Sequence, residues 1–121
     1  MNKHLQGQQN YLTGLAAEAI VGSSYLERGF SKMEVRWRGK SGEIDLIVER
    51  DGELVFVEVK ASRTFDQAVA LLSQKQLSRV ACAANEYLAV SGRGLDTPCR
   101  IDLALVDGLG RSRVIENITM D

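Results

Sequence analysis

The sequence is poor in the residues that build zinc sites, disulfide networks and membrane spans. It has one proline, one histidine, His4, and two cysteines, Cys82 and Cys99. A structural zinc site takes about four His or Cys ligands, so this composition argues against one. Cys82 falls on a helical apolar stripe, which predicts buried free thiols. No apolar run approaches the roughly 20 residues of a membrane span, and no secretory signal opens the chain. We therefore expect a cytoplasmic protein without a membrane partner.

The sequence also has almost no excess of positive or negative charge. The formal net charge is −1 over 121 residues, which excludes a uniformly basic protein that coats DNA. A concentrated carboxylate site and a basic rim would still cancel in this sum. The length suits one domain. Residues 1–10 are polar and Gln-rich and are predicted to be a flexible tail, and residues 11–121 to be a single domain.

What is present is a strong hairpin pattern at residues 42–60. Two β-branched runs are joined by Asp51-Gly52, a pair typical of a two-residue type I′ turn. Counting outward from this turn places Asp45 opposite Glu58. Such cross-strand neighbours lie about 4.5–5.5 Å apart, so two like charges repel. A divalent cation, a shared proton or a nearby lysine would each relieve the repulsion.

The alternation of side chains along the two strands predicts two faces. One face is expected to be a core face; its residues are Ile44, Leu46, Val48, Val55, Val57 and Val59. The other has an apolar part near the turn and a charged open end, made of Glu43, Asp45, Glu58 and Lys60. In this register Glu43 faces Lys60; an ion pair that holds the Lys60 amine in place is one interpretation of Glu43, whose role stays open.

The same residues carry a resemblance to known proteins. Asp45 followed by Glu58-Val59-Lys60 resembles the metal site of the PD-(D/E)XK nuclease superfamily. The longer strings resemble the YraN family of bacterial proteins, which is endonuclease-like and similar to archaeal Holliday junction resolvases. These strings are Gly42-Glu43-Ile44-Asp45-Leu46-Ile47, Phe56-Val57-Glu58-Val59-Lys60, Ala17-Glu18, Lys75-Gln76 and Arg100-Ile101-Asp102. The match runs from about residue 14 to residue 118.

The resemblance implies an α/β fold with a restriction-endonuclease-like core. In that fold a mixed central sheet of roughly four to five strands is flanked by helices. The patterns along the chain agree, because a helix at residues 14–28 is followed by three strands, a helix and one or two strands. The element order is therefore predicted as α-β-β-β-α-β-β.

The resemblance also implies a set of site residues. Asp45 and Glu58 would bind Mg²⁺ or Mn²⁺, and Lys60 would stabilise the transition state of phosphodiester cleavage. Glu18 by its spacing alone is an ordinary surface glutamate, but the resemblance makes it a further metal ligand. Asp102 is expected to be a structural partner of an arginine.

Basic residues outside this set suggest contact with nucleic acid. Arg36 and Arg38 lie on the predicted first strand, residues 32–39, and Lys40 lies on its extension. The three form either a phosphate-binding rail or a sheet edge guarded by basic residues. Lys75 lies on the polar side of the later helix, where it is either solvated or in contact with DNA.

The predicted function is a metal-dependent endonuclease that acts on nucleic acid, with branched DNA as a structure-selective substrate. Cutting two strands would be easiest for a homodimer with two-fold symmetry. Two alternatives stay open. One is a nucleic-acid-binding module that keeps the nuclease fold without cleaving. The other is a structural domain in which the charged end of the hairpin is only a salt-bridge network.

Overall fold

The chain forms one mixed sheet with helices on both faces. In the computed structural model the backbone is described for residues 3–118 and the side chains for residues 14–118. The elements in order are α1 (Lys3–Glu27), β1 (Ser31–Arg38), β2 (Glu43–Arg50), β3 (Glu53–Ala61), α2 (Phe65–Val69), α3 (Gln74–Val90), β4 (Cys99–Val106) and β5 (Ser112–Ile115). The expected start of the first helix at residue 14 is too late, because α1 begins at Lys3. The flexibility of residues 1–10 stays a prediction.

The sheet has five strands in the order β1-β2-β3-β4-β5. Only the β3–β4 pair is parallel, and α2 and α3 form the crossover that a parallel connection needs. The other neighbours are antiparallel. This architecture confirms the predicted α/β class and element order, apart from the short additional helix α2, and is consistent with a nuclease-like fold.

The β2–β3 hairpin has the predicted turn and register. Asp51 and Gly52 have φ values of +52° and +82°, as a type I′ turn requires at both central positions. Outward from the turn the strands pair Arg50 with Glu53 and continue to Leu46 with Val57. The turn sequence therefore sets which residues meet at the open end.

The two faces of the hairpin differ from the prediction at one residue. Ile44 packs under α3 with Ile47 and not on the α1 side with Leu46. Strict alternation would put Ile44 and Leu46 on the same face. Arg36, which lies across from Asp45 between two regular pairs, has a φ of +52°. The strands are thus irregular at this point, which lies beside Asp45.

A buried network of hydrogen bonds ties the last turns of α1 to strand β4. The Tyr25 hydroxyl donates to Asp102 Oδ2 at 2.7 Å, and Arg100 Nε donates to Asp102 Oδ1 at 3.0 Å. The backbone N–H of Asn117 donates to the same Oδ1 at 3.0 Å. Asp102 is fully buried, and a buried carboxylate needs such partners. The predicted structural role of Asp102 beside an arginine is confirmed.

Both cysteines are free, as predicted, but both are exposed. Cys82 lies two residues from the buried Val80 and Ala84. At about 100° per residue, this offset puts it on the opposite side of α3, so the prediction of buried thiols is wrong. Among the described residues, no helix is long and apolar enough to cross a membrane.

Candidate active site

Where the regular β2–β3 pairing ends, two carboxylates accept hydrogen bonds from backbone N–H groups of the two strands. The last regular pair is Leu46 with Val57. Beyond it, the backbone N–H of Val59 donates to Asp45 Oδ2 at 2.8 Å, and the backbone N–H of Asp45 donates to Glu58 Oε1 at 3.4 Å. The side chains of Asp45 and Glu58 are therefore neighbours, as the hairpin register predicts.

A cavity of about 330 Å³ opens beside these carboxylates. Four elements contribute its lining residues, which are Gly14, Ala17, Glu18, Asp45, Val59, Lys60, Ala61 and Gln76. The three α1 residues are spaced at i, i+3 and i+4, so one face of the helix forms the wall. Glu58 is 2 % exposed and lies beneath the surface. The structure thus brings Glu18, Asp45, Glu58 and Lys60 together. Residues of α1 and α3, two helices far apart in the sequence, complete the lining of the cavity.

Burial and mutual repulsion work against ionisation of both acids. Burial, followed by the charge of Asp45, raises the pKa of Glu58 from 4.5 to about 8. Burial also raises the pKa of Asp45, against the hydrogen bond from Val59, and the charge of Glu18 adds to this effect. Lys60 opposes the shift in both groups. One lysine therefore does not balance the carboxylates that surround it.

The raised pKa of Glu58 predicts a pH dependence of the metal-free protein. An acid with a higher pKa in the folded state stabilises the fold fully below its unfolded value of 4.5, and the contribution is lost as the pH rises through about 8. In EDTA, we expect the melting temperature to fall between these pH values, and to fall less in Glu58→Gln. Parallel melting curves against pH for the two proteins would show that Glu58 titrates normally.

The other predicted site residues are present but have partners. Glu18 pairs with Arg36, whose Nη2 lies 3.0 Å from Oε2. Glu43 pairs with Arg38 at 3.0 Å and not with Lys60, which decides against the ion-pair interpretation of Glu43 opposite Lys60. The register of β1 against β2 explains the change, because it puts Arg38 directly opposite Glu43.

The remaining predicted nucleic-acid contacts lie on the surface. The backbone N–H of Lys40 donates to the Glu86 carboxylate at 2.8 Å, which ties the β1–β2 loop to α3. Lys75 is exposed at the start of α3. Contact of Lys40 and Lys75 with nucleic acid stays a prediction.

The oxygen atoms of the site meet part of what a hard divalent ion needs. Carboxylate and carbonyl oxygens are the ligands that Mg²⁺ takes, together with several waters. Asp45 Oδ1 accepts no hydrogen bond from residues 14–118, and Asp45 lines the cavity. Within the same residues, however, no three His, Cys, Asp or Glu side chains are grouped to hold an ion. The site therefore offers two adjacent carboxylates, with Glu18 held back by Arg36.

Gln76 is a site residue whose contact with Glu58 the sequence does not predict. The pattern Ser73-Gln-Lys-Gln76 predicts a capping box, and the Ser73 hydroxyl does cap α3 by accepting from the backbone N–H of Gln76. The Gln76 side chain donates instead to Glu58 Oε2 at 3.3 Å. Its place on the site side of α3 depends on the packing of the helix against the sheet, which the local pattern does not show.

Comparison with known proteins identifies the family. The model of the uncharacterised protein family UPF0102 matches residues 17–106, which include Asp45, Glu58, Lys60 and Gln76. A UPF0102 protein of Ruegeria pomeroyi is 48% identical over 112 residues, covering 93% of this chain and 91% of its own. One of Dinoroseobacter shibae is 46% identical over 118 residues, covering 98% and 88%, and one of Cereibacter sphaeroides is 45% identical over 113 residues, covering 93% and 97%. These matches confirm the resemblance to the YraN family, and the chain belongs to the UPF0102 family.

Proposed function

We propose that this protein is a metal-dependent endonuclease that hydrolyses phosphodiester bonds of nucleic acid, with Asp45 and Glu58 holding Mg²⁺ or Mn²⁺. The observation that carries the proposal is the pair of adjacent, poorly compensated carboxylates at the open end of the hairpin. They lie beside a cavity that Lys60 also lines. Burying like charges without a counter-ion is costly, so the arrangement favours a bound cation.

The roles of the residues follow from their positions. A divalent ion would supply an activated water and a counter-charge for the phosphate. Asp45 and Glu58 would hold it, and Glu18 would join them only by leaving Arg36. Lys60 follows Glu58 by two residues and lines the same cavity, where its ammonium would stabilise charge that develops on the phosphate. Gln76 would hold Glu58 in its orientation through the 3.3 Å hydrogen bond.

The substrate class is inferred from what surrounds the site. Arg36, Arg38, Lys40 and Lys75 remain proposed contacts to phosphates. The sequence shows no motif for reading bases, so the proposal is recognition of branched DNA by its shape, by a homodimer in the cytoplasm.

The proposal is tested by single-turnover assays on a panel of branched, flapped, single-stranded and duplex substrates. Cleavage of at least one substrate is expected in Mg²⁺ or Mn²⁺, and none in EDTA. Binding without cleavage in either metal would favour a binding module that keeps the fold. Neither binding nor cleavage would leave the carboxylates with a structural role.

A further inference from the structure

A groove lined by arginines leads away from the candidate active site. The site cavity shares Ala17 and Ala61 with a neighbouring cavity of about 500 Å³. That cavity shares Arg63 and Asp107 with a third, of about 240 Å³. This row of neighbouring cavities extends from the carboxylates, past the end of β3, to the β4–β5 turn. We call it the arginine groove, after Arg63, Arg111 and Arg113, which line its far part.

The chain holds the walls of the arginine groove in place. The backbone N–H of Gly108 donates to the Arg63 carbonyl at 3.0 Å, and a Cβ at residue 108 would come within 3.3 Å of the same oxygen. The Asp107 carboxylate accepts the backbone N–H groups of Leu109 and Arg111 at 3.0 and 2.9 Å. These hydrogen bonds fix the β4–β5 turn and hold the backbone of Arg63 against it.

Two of the three groove arginines have no ion pair within residues 14–118, although Asp66 and Asp107 also line the groove. Arg63 is exposed, and within residues 14–118 neither Arg63 nor Arg113 lies within ion-pair distance of a carboxylate. The Arg113 guanidinium lies over the Phe65 ring, 4.7 Å from its centroid, which orients the plane of its donors. Arg111 pairs with the buried Asp107 at 2.6 Å. By contrast, Arg36 and Arg38 both pair with carboxylates at the site.

We propose that the arginine groove binds the sugar-phosphate backbone of a single polynucleotide strand that extends from the candidate active site, through Arg63 and Arg113. This inference rests on the proposed nuclease function. Guanidinium groups bind phosphate with paired donors. Arg63 follows Lys60 by three residues, so their Cα atoms are separated by at most roughly 10 Å. That span has room for at most about three phosphates, even at the roughly 3.4 Å spacing of a duplex strand.

The dimensions favour one strand over a duplex. The three cavities, of about 330, 500 and 240 Å³, are in the range of small-ligand pockets, roughly 300–1,000 Å³, or just below it. Such cavities hold nucleotides one after another. Depressions of this size suit a single strand, so the inference is that the strand is unpaired where it approaches the carboxylates, as at a branch, flap or end.

The test is the binding of labelled single-stranded DNA, and of RNA of the same sequence, by fluorescence anisotropy in EDTA over a range of salt concentrations. The variant is Arg63→Gln with Arg113→Gln. Each lost single-strand contact reduces the salt slope by about 0.7, so we expect a slope shallower by about 1.4 and affinity at least roughly 10-fold lower at 0.1 M salt. The control is Arg28→Gln with Arg93→Gln, which removes the same charge from surfaces outside the groove, and melting curves verify that both variants fold.

Loss of slope and affinity in the groove variant alone supports the inference, and the strand that suffers the larger loss identifies DNA or RNA as the ligand. An unchanged slope, an equal loss in the control variant, or a wild-type protein that binds neither strand overturns it. Because binding is measured without metal, this result is independent of cleavage. A protein that shows the groove dependence but cuts nothing retains the inference and loses the proposed function.

Discussion

Replacing Lys60 with alanine is expected to lower the single-turnover cleavage rate by roughly 10²–10³ while leaving the affinity for Mn²⁺ nearly unchanged. The lysine lines the cavity that Asp45 lines, and its ammonium would act on charge that develops only in the transition state. The loss of one such group typically costs roughly 10²–10³ in rate. Interactions made mainly in the transition state lower the rate constant and not the binding of substrate. Substrate affinity should therefore fall only modestly, by one contact.

The Lys60→Ala variant distinguishes three functions of the site: an enzyme, a nucleic-acid-binding module and a salt-bridge network. Lys32→Ala, which removes an exposed lysine of β1, is the matched control for loss of charge. A fall confined to substrate affinity would indicate a binding module. A fall confined to the melting temperature would indicate that Lys60 only balances Asp45 and Glu58 as part of a salt-bridge network. Either outcome contradicts the role assigned to Lys60.

The second large effect is expected for Asp45→Asn, which should lower metal-dependent cleavage by more than roughly 100-fold. Loss of the outer hydrogen-bond partners of metal ligands already costs about 10–100-fold, and loss of a ligand charge should cost more. The fold should survive, because the amide oxygen of asparagine can still accept the backbone N–H of Val59, which lies 2.8 Å from Asp45 Oδ2.

The stability of this variant distinguishes loss of function from loss of fold. Among the neighbouring charges, that of Asp45 has the largest effect on the pKa of Glu58. Its removal therefore relieves a repulsion in the metal-free protein. In EDTA at pH 8 we expect the melting temperature of Asp45→Asn to equal or exceed that of the wild type. A lower melting temperature together with lost cleavage would mean that Asp45 is a structural residue.

The hairpin and its charged end could be predicted from the sequence because the determinants are local. Asp51-Gly52 specifies the turn, the turn specifies the register, and the register brings Asp45 beside Glu58. Glu18 has no such local determinant. Its place at the cavity was inferred only from the resemblance to a family, and it depends on how α1 packs on the sheet.

Features that depend on tertiary packing were missed. The irregularity beside Asp45 moves Ile44 to the α3 face, and no simple alternation rule contains it. Gln76 lies on the crossover helix α3 and reaches Glu58 on β3, 18 residues away in sequence. The arginine groove joins Arg63, after β3, to Arg113 on β5. These positions are far apart in sequence and become neighbours only through the order of strands in the sheet.

The central claim is that Asp45 and Glu58 form a divalent-ion site, and calorimetric titration with Mn²⁺ tests it most directly. The wild-type protein should bind Mn²⁺, and Asp45→Asn should show no binding under the same conditions, while Lys60→Ala should bind as the wild type does or slightly more tightly. Mn²⁺ binding by folded Asp45→Asn that equals the wild type, or a wild-type protein that takes up no Mn²⁺, would contradict the account.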